Sequence, residues 1–267
     1  MSDAISGAKI RPISPVLLIG KGVLIETLRR REIYVVVILS LLYVGGGVVV
    51  TLVGIENPAT ANFLLNLGMS LAYFFAHILV ILSAARQVPQ EEENGTLYPL
   101  LAKPLRRSQY VIGKWTAVFA SGFLAHVILI LLVWLPLPKL QEYNSVLFIQ
   151  TIILYALSLG LMAALGLCLS LVLSRWPNIL LLGIFVILGG DIIGFIRVHV
   201  AKIMPPGLAQ WLTAYIPNPS LLNLTTRYTD GVGPLGILEF FGLILYGVLF
   251  TTLFILLGIY FFQRRSL

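Results

Sequence analysis

Charge is what this sequence has least of. Only 11% of its 267 residues are Asp, Glu, Lys or Arg, whereas about a quarter are charged in an ordinary soluble domain. A chain so poor in charge cannot clothe a water-facing surface, and a hydrophobic content of 58% with a mean hydropathy of +0.97 excludes the soluble globular class. Cysteine is nearly missing as well. The single Cys168 excludes both a disulfide framework and a multi-cysteine metal cluster, and because it lies in an apolar run it carries no information about compartment. No phosphate-binding G-x-x-x-x-G-K-[ST] loop occurs. Gly20-Lys21-Gly22 and Gly113-Lys114-Trp115 lack the upstream glycine and the hydroxyl residue, so the chain is expected to hydrolyse no nucleotide by itself. His77, His126 and His199 stand far apart with no H-E-x-x-H or Cys/His spacing, and neither a Ser/His/Asp set nor a carboxylate pair for acid/base work is evident. No metal, no cofactor of its own and no catalytic residue are expected.

What is present is apolar sequence in long runs. At about 20 residues per helical crossing, the chain has room for roughly six spans and too little polar sequence for a separate soluble domain. The expected fold is therefore an all-α membrane protein, one transmembrane domain over residues 1–267. The runs are Ile33 to Val53, Ala61 to Ala84, Thr116 to Leu137, Val146 to Leu173, Asn178 to Ile196 and Gly236 to Phe262. The first is not a cleavable leader, since more than thirty residues precede it and no small-residue cleavage pattern follows.

The formal net charge of +7 could suggest nucleic acid, but in a membrane chain the placement of Lys and Arg decides. With the N-terminus in the cytoplasm, all of the 18 basic residues except Lys139, Arg197, Lys202 and Arg227 fall on the inner side. The positive-inside bias thus sets both termini in the cytoplasm, across a cell membrane of the prokaryotic inner-membrane kind, with the bilayer and not nucleic acid as the partner. Ahead of the first span, Ser14-Pro15 is a helix start, and residues 14–31 mix apolar side chains with Lys21, Glu26 and the Arg29 to Arg31 triplet. That stretch is too charged to span and reads as an amphipathic helix in the inner interface. The outer connection, residues 197–235, is apolar and aromatic but broken at Pro205-Pro206 and Pro217-Asn218-Pro219, which predicts short helices resting in or dipping into the outer interface. The Asn223-Leu224-Thr225 sequon is taken as chance.

The segment richest in chemistry lies between the second and third spans, residues 86–114. Glu91, Glu92 and Glu93 precede the turn signal Asn94-Gly95; Thr96 can cap a short helix ended by Lys103-Pro104; Leu97, Leu100 and Leu101 give it an apolar face. An acidic approach, an apolar face and the basic exit Lys103, Arg106, Arg107 suit a rigid helix that docks in a groove of a soluble partner and moves its two flanking spans. Without such a partner, the same residues read as a solvated acidic turn balanced by those bases.

The pattern E-x-E-x-G-T-L, here Glu91, Glu93 and Gly95-Thr96-Leu97, followed by Leu100-Leu101-Ala102, Pro104-Leu105, Arg107, Tyr110 and Gly113-Lys114, resembles the signature of permease subunits of type-2 ATP-binding-cassette (ABC) exporters. The layout is similar too: an N-terminal amphipathic helix, six spans, the inner loop after the second span, and the I-P-N-P-S-L-L-N-L run at Ile216 to Leu224 before the last span. The resemblance implies a short-form permease without a fused nucleotide-binding domain. It implies that a separate ABC ATPase binds the ATP and Mg, that the segment from about Glu91 to Leu101 is the coupling helix to that ATPase, and that the chain works as a dimer with a second copy or a homologous permease. It does not carry over a substrate.

Two acids remain inside or near spans. Asp191, in Gly189-Gly190-Asp191, is the one acid well inside an apolar run, where a carboxylate costs about 2.5–3.5 kcal/mol at a helix centre; it marks either the transport path or an ion pair with Arg197. Glu239, early in the last span, is a candidate for gating or for anchoring the outer loop. The Gly190/Gly194 spacing and Gly45-Gly46-Gly47 predict close helix packing, with a bend as the alternative. The rival class is an ion-gradient-driven secondary transporter or a membrane scaffold; the first would show a chain of intramembrane acids or inverted repeats, and neither is evident.

Overall fold

The structure, a computed structural model, describes residues 31–53, 58–95, 107–134, 145–199 and 216–264, together with Gly22 and Ile25. The expected interfacial helix over residues 14–31 and the first part of the outer connection lie outside the described residues.

Within them the chain is a helical bundle: α1 Arg31–Leu52, α2 Pro58–Glu93, α3 Arg107–Trp134, α4 Ser145–Ser170, α5 Arg175–His199, a 3-10 turn Pro219–Leu222, the short α6 Thr225–Thr229, and α7 Ile237–Arg264. Each long helix overlaps one of the six apolar runs. Five of them, α2, α3, α4, α5 and α7, are long and apolar enough to cross a membrane, while in α1 the apolar helical stretch is shorter, Ser40–Val50. The protein is a multi-pass membrane protein. Arg86, Arg107, Lys114, Arg175 and Arg264 gather at one end of the bundle, called here the basic end.

The largest difference from expectation is at the end of α2. Its apolar run stops at Ala84, yet the helix continues to Glu93 despite Pro89, whose missing N–H removes one bond of the ladder, because Gln90 to Glu93 are strong helix formers and the turn residues come only at Asn94-Gly95. The chain then turns where Asn94-Gly95 signals it, with Gly95 at φ 65° and its N–H donating to the Glu92 carbonyl at 3.0 Å. Glu91 to Glu93 therefore sit on the last turn of a membrane-spanning helix and do not open a separate one.

The core is layered along the bundle axis. Near the end away from the bases, Leu65, Met69, Tyr73, Leu129, Leu147, Leu154 and Tyr155 pack with Leu222, Leu224 and Leu235. A middle layer joins Ala76, Val80, Ala84, Val118, Leu159, Met162, Leu165 and Leu182. At the basic end Val88, Tyr110, Val111, Leu167, Leu171 and Phe262 close the bundle. Helix α4 is the axis, 72% buried over its apolar window against 17% for α5 and 11% for α7. Those two helices present broad apolar faces outward, which suits hydrocarbon and not water.

Small residues set the closest approaches. Gly68 on α2 leaves room for Tyr43 of α1, whose hydroxyl donates to the Leu64 carbonyl at 2.9 Å. Of the Gly45-Gly46-Gly47 triplet, Gly47 is buried, while a Cβ on Gly45 or Gly46 would meet nothing within 4 Å among the described residues. At Gly190 a Cβ would come within 3.2 Å of the Ser220 Cβ, whereas one at Gly194 would enter open space. What packs against Gly190 is thus the turn at Ser220, not another long helix. Replacing Gly190 by Ala should lower stability by about 1–3 kcal/mol through overpacking, while Gly194→Ala should be neutral or stabilising by up to about 1 kcal/mol from helix propensity. Thermal unfolding of the two variants in detergent checks this, and equal effects would remove the Ser220 contact as the cause.

Candidate functional site

Two polar regions interrupt the apolar bundle. The first is a clamp at the basic end. Residues 87 and 91 lie one turn apart on α2 and residues 110 and 114 one turn apart on α3, so each pair shares a helix face. The Lys114 ammonium makes an ion pair with Glu91 and donates to Gln87 Oε1 at 3.0 Å, and the Tyr110 hydroxyl donates to Glu91 Oε2 at 2.5 Å. The side chains of Lys114 and Glu91 are only 5% and 18% exposed. A buried ammonium needs such partners, since an uncompensated charge there is strongly destabilising. One turn before Tyr110, Arg107 Nη1 donates to the carbonyls of Phe262 at 2.9 Å and Gln263 at 2.7 Å, the last carbonyls of α7. Those groups have no intrahelical partner and carry the negative end of the helix dipole, so a guanidinium caps them well. Phe262, fully buried, stacks on Tyr110 with ring centroids 5.0 Å apart.

The second region is a re-entrant turn. Ser158 lies near the middle of α4, roughly 18–20 Å from either end at 1.5 Å per residue, and the carbonyl of Pro219 lies 3.4 Å from both its Oγ and the Tyr73 hydroxyl. The outer connection therefore dips to mid-depth. His77 holds this point: Nδ1 is 2.8 Å from the Tyr73 carbonyl, which can only accept, so Nδ1 carries the proton and Nε2 in the neutral ring accepts from Ser158 Oγ at 2.9 Å. Asn218 Oδ1 accepts from Ser220 N at 3.0 Å, and the Asn218 N–H donates to the Tyr246 hydroxyl of α7 at 2.6 Å. Asn223 Oδ1 accepts from Thr225 N at 2.9 Å and from the Tyr155 hydroxyl at 2.8 Å, and Tyr155 also meets the Thr225 hydroxyl. Further on, the Gln150 amide pairs with both the N–H and the carbonyl of Leu235, at 2.9 and 3.1 Å, just before α7 begins. With Asn223 engaged and Thr225 buried, the sequon there serves the fold.

The expected site residues separate into groups. Glu91 belongs to the clamp; Glu92 is half-buried; Glu93 and Gly95 are exposed at the turn. Thr96, Leu97, Leu100 and Leu101 lie outside the described residues. Asp191 is exposed in the single chain, one position beyond the glycine that faces Ser220, and its expected partner Arg197 has a side chain outside the described set. Glu239 is exposed in the first turn of α7, where a carboxylate complements the helix dipole, as Arg264 does in the last turn. Sequence reasoning used Arg107, Tyr110 and Lys114 only as members of a pattern and passed over Ser158, Tyr155, Gln150 and Tyr246. The available signal was polar side chains set within apolar helical runs, each of which must find a partner in a membrane protein.

An all-helical, multi-pass bundle with a polar clamp at one end and a re-entrant turn from the other is the framework of a membrane transport component. The family model described as ABC-2 family transporter protein matches residues 24–267, and the chain belongs to that family, as an ABC transporter permease. No curated protein matches the chain.

The clamp predicts unequal glutamates. Glu91→Ala leaves Lys114 buried without its counter-charge and should cost about 2–4 kcal/mol, while Glu93→Ala, in water, should stay within about 0.5 kcal/mol. Lys114→Met in the Glu91→Ala background should recover much of the loss, the non-additivity expected of direct partners. Denaturation midpoints of the three variants measure it, and equal losses for Glu91→Ala and Glu93→Ala would refute the clamp.

Proposed function

We propose that this permease exports or extrudes a substrate with energy from ATP hydrolysed by a separate ABC ATPase subunit, which would hold the ATP and Mg. Six spans per chain, with α1 as the first, would leave both termini and the basic end in the cytoplasm of a prokaryotic cell, and two permeases, identical or homologous, would form the membrane half of the transporter. The observation that carries this reading is the anchoring of the two helix ends that flank residues 96–106. The connection leaves α2 two residues after the Glu91 turn and rejoins the bundle at Arg107, so both of its ends are fixed to buried or capped structure. Helix ends anchored in this way would carry a push from a docked ATPase into α2 and α3. Glu93, Gly95, Thr96, Leu97, Leu100 and Leu101 would face the ATPase, with Glu92 at the edge. Glu91, given its partners, would set the position of the segment. Asp191, exposed at the side of the re-entrant turn, stays the candidate for the path, and Glu239 for its outer entrance.

Purification from native membranes should bring down a chain with a Walker-type phosphate loop whose hydrolysis depends on the permease. Replacing Glu93 together with Leu97 by Ala should weaken that association at least about tenfold while leaving thermal stability within about 0.5 kcal/mol of the parent. Recovery of the permease in transport-competent form with no ATPase present would overturn the proposal.

A further inference from the structure

We infer that α7 is a relay between the inner connection and the re-entrant turn, with Arg107 as its inner handle and Tyr246 as its outer one. The inference rests on the ATPase-coupling reading above and adds to it a third helix, which does not flank the connection. Three observations carry it. Arg107, the first described residue after the connection, donates from one guanidinium nitrogen to two successive carbonyls of α7, at 2.9 and 2.7 Å. Directly beneath, Phe262 is fully buried, with its ring on Tyr110 and the Arg107 guanidinium carbon 5.8 Å from its centroid. Any displacement of the start of α3 therefore pulls on the end of α7 through hydrogen bonds and through a filled socket that cannot slide freely.

Sixteen positions along the same helix, roughly 24 Å away at 1.5 Å per residue, the Tyr246 hydroxyl accepts the Asn218 N–H at 2.6 Å. Leu222 of the turn lies beside Gly247, where an added Cβ would meet its Cδ1 at 3.5 Å. An α-helix keeps its length because every peptide along it is hydrogen-bonded, so a shift at Phe262 arrives at Tyr246 undiminished. The Asn223 end of the turn is held to α4 through Tyr155 at 2.8 Å, but beside Asn218 the Pro219 carbonyl reaches α2 and α4 only at 3.4 Å, well beyond the usual length. At its Asn218 end the turn is thus tied to α7 by a shorter bond than the neighbouring Pro219 carbonyl makes to α2 and α4, and that end moves with α7. Arg107 and Tyr246 are positioning residues: neither is placed to touch cargo or nucleotide.

The test uses the full permease with its ATPase in lipid nanodiscs, with Cys168 replaced by Ala and two pairs of spin labels at exposed sites. Ile112→Cys with Val172→Cys reports the basic end, and Leu221→Cys with Val146→Cys reports the turn. Distances are measured without nucleotide and after trapping with MgATP and orthovanadate. Both pairs should respond in the parent. Arg107→Ala should keep the response of the first pair and lose that of the second. Tyr246→Phe, which deletes one oxygen and leaves the ring on Phe250, should do the same and supplies the answer if Arg107→Ala fails to assemble. The double variant should be no worse than either single, as for two points on one relay, and Arg107→Lys, which keeps a donor, should restore part of the response. A turn that responds normally in Arg107→Ala or in Tyr246→Phe would overturn the relay. Silence of both pairs in the parent, with hydrolysis intact, would instead overturn the ATPase-coupling reading, and the relay with it.

Discussion

No water reaches the middle of a bilayer to satisfy a peptide group, so a chain that leaves helical geometry there must take every hydrogen bond from its own protein. This constraint governs the polar residues in the half of the protein away from the basic end. Residues 216–235 enter the bundle without long helical structure, and around them Tyr73, Ser158, Tyr155, Gln150 and Tyr246 supply donors and acceptors from three different helices. Asn218 and Asn223 supply the rest from within, each side chain closing a turn on an N–H two residues ahead. Hydroxyl and amide side chains inside apolar helices are expensive where nothing engages them. Here the re-entrant backbone engages them, and each side makes the other tolerable.

The basic end answers a different problem, that of charge. Lys114 and Glu91 lie inside the rim of the bundle, where either alone would be costly, and the pair is stabilised by the Gln87 amide and the Tyr110 hydroxyl as well as by attraction. At α7 the Arg107 guanidinium meets the helix end, which itself presents the negative pole. The consequence is that α2, α3 and α7 are joined at one level and Phe262 fills the space between them. Motion at that level is shared among three helices.

The long helices were legible in the sequence because a helix in a bilayer closes its backbone bonds within itself, so that an apolar run of sufficient length is almost the whole specification. The Asn94-Gly95 turn was legible for a similar local reason. What escaped was whatever depends on residues far apart in the chain. Pro217-Asn218-Pro219 looked like an ordinary loop breaker because its partners stand on helices 28 to 146 positions away. Glu91 was read with Glu92 and Glu93 as the acidic approach of a docking segment, or else as part of a solvated turn balanced by the nearest bases along the sequence. Its partner is Lys114, brought to it only when α2 runs two turns past its apolar limit and α3 folds back beside it. Gly190 was correctly read as a point of close approach, but what approaches is a turn contributed by residue 220.

The distribution of hydrogen-bond lengths around the re-entrant turn also orders its parts by how firmly they are held. The contacts of Asn218 with Tyr246 and of Asn223 with Tyr155, at 2.6 and 2.8 Å, are short, while both approaches to the Pro219 carbonyl are 3.4 Å. At the same point His77 and Ser158 bond each other at 2.9 Å and do not depend on the turn to be satisfied. If the Pro219 carbonyl withdrew, Ser158 and His77 would keep their mutual bond, the Tyr73 hydroxyl would keep Ser158 Oγ at 3.4 Å, and only the carbonyl would need a new partner. Withdrawal of Asn218 from Tyr246 would orphan a backbone N–H outright, at a cost of about 1–3 kcal/mol if no partner replaced it. The weak point of the turn is therefore the Pro219 carbonyl, while Asn218 is held to α7 and Asn223 to α4, so a local shift at Pro219 costs less than release of either asparagine.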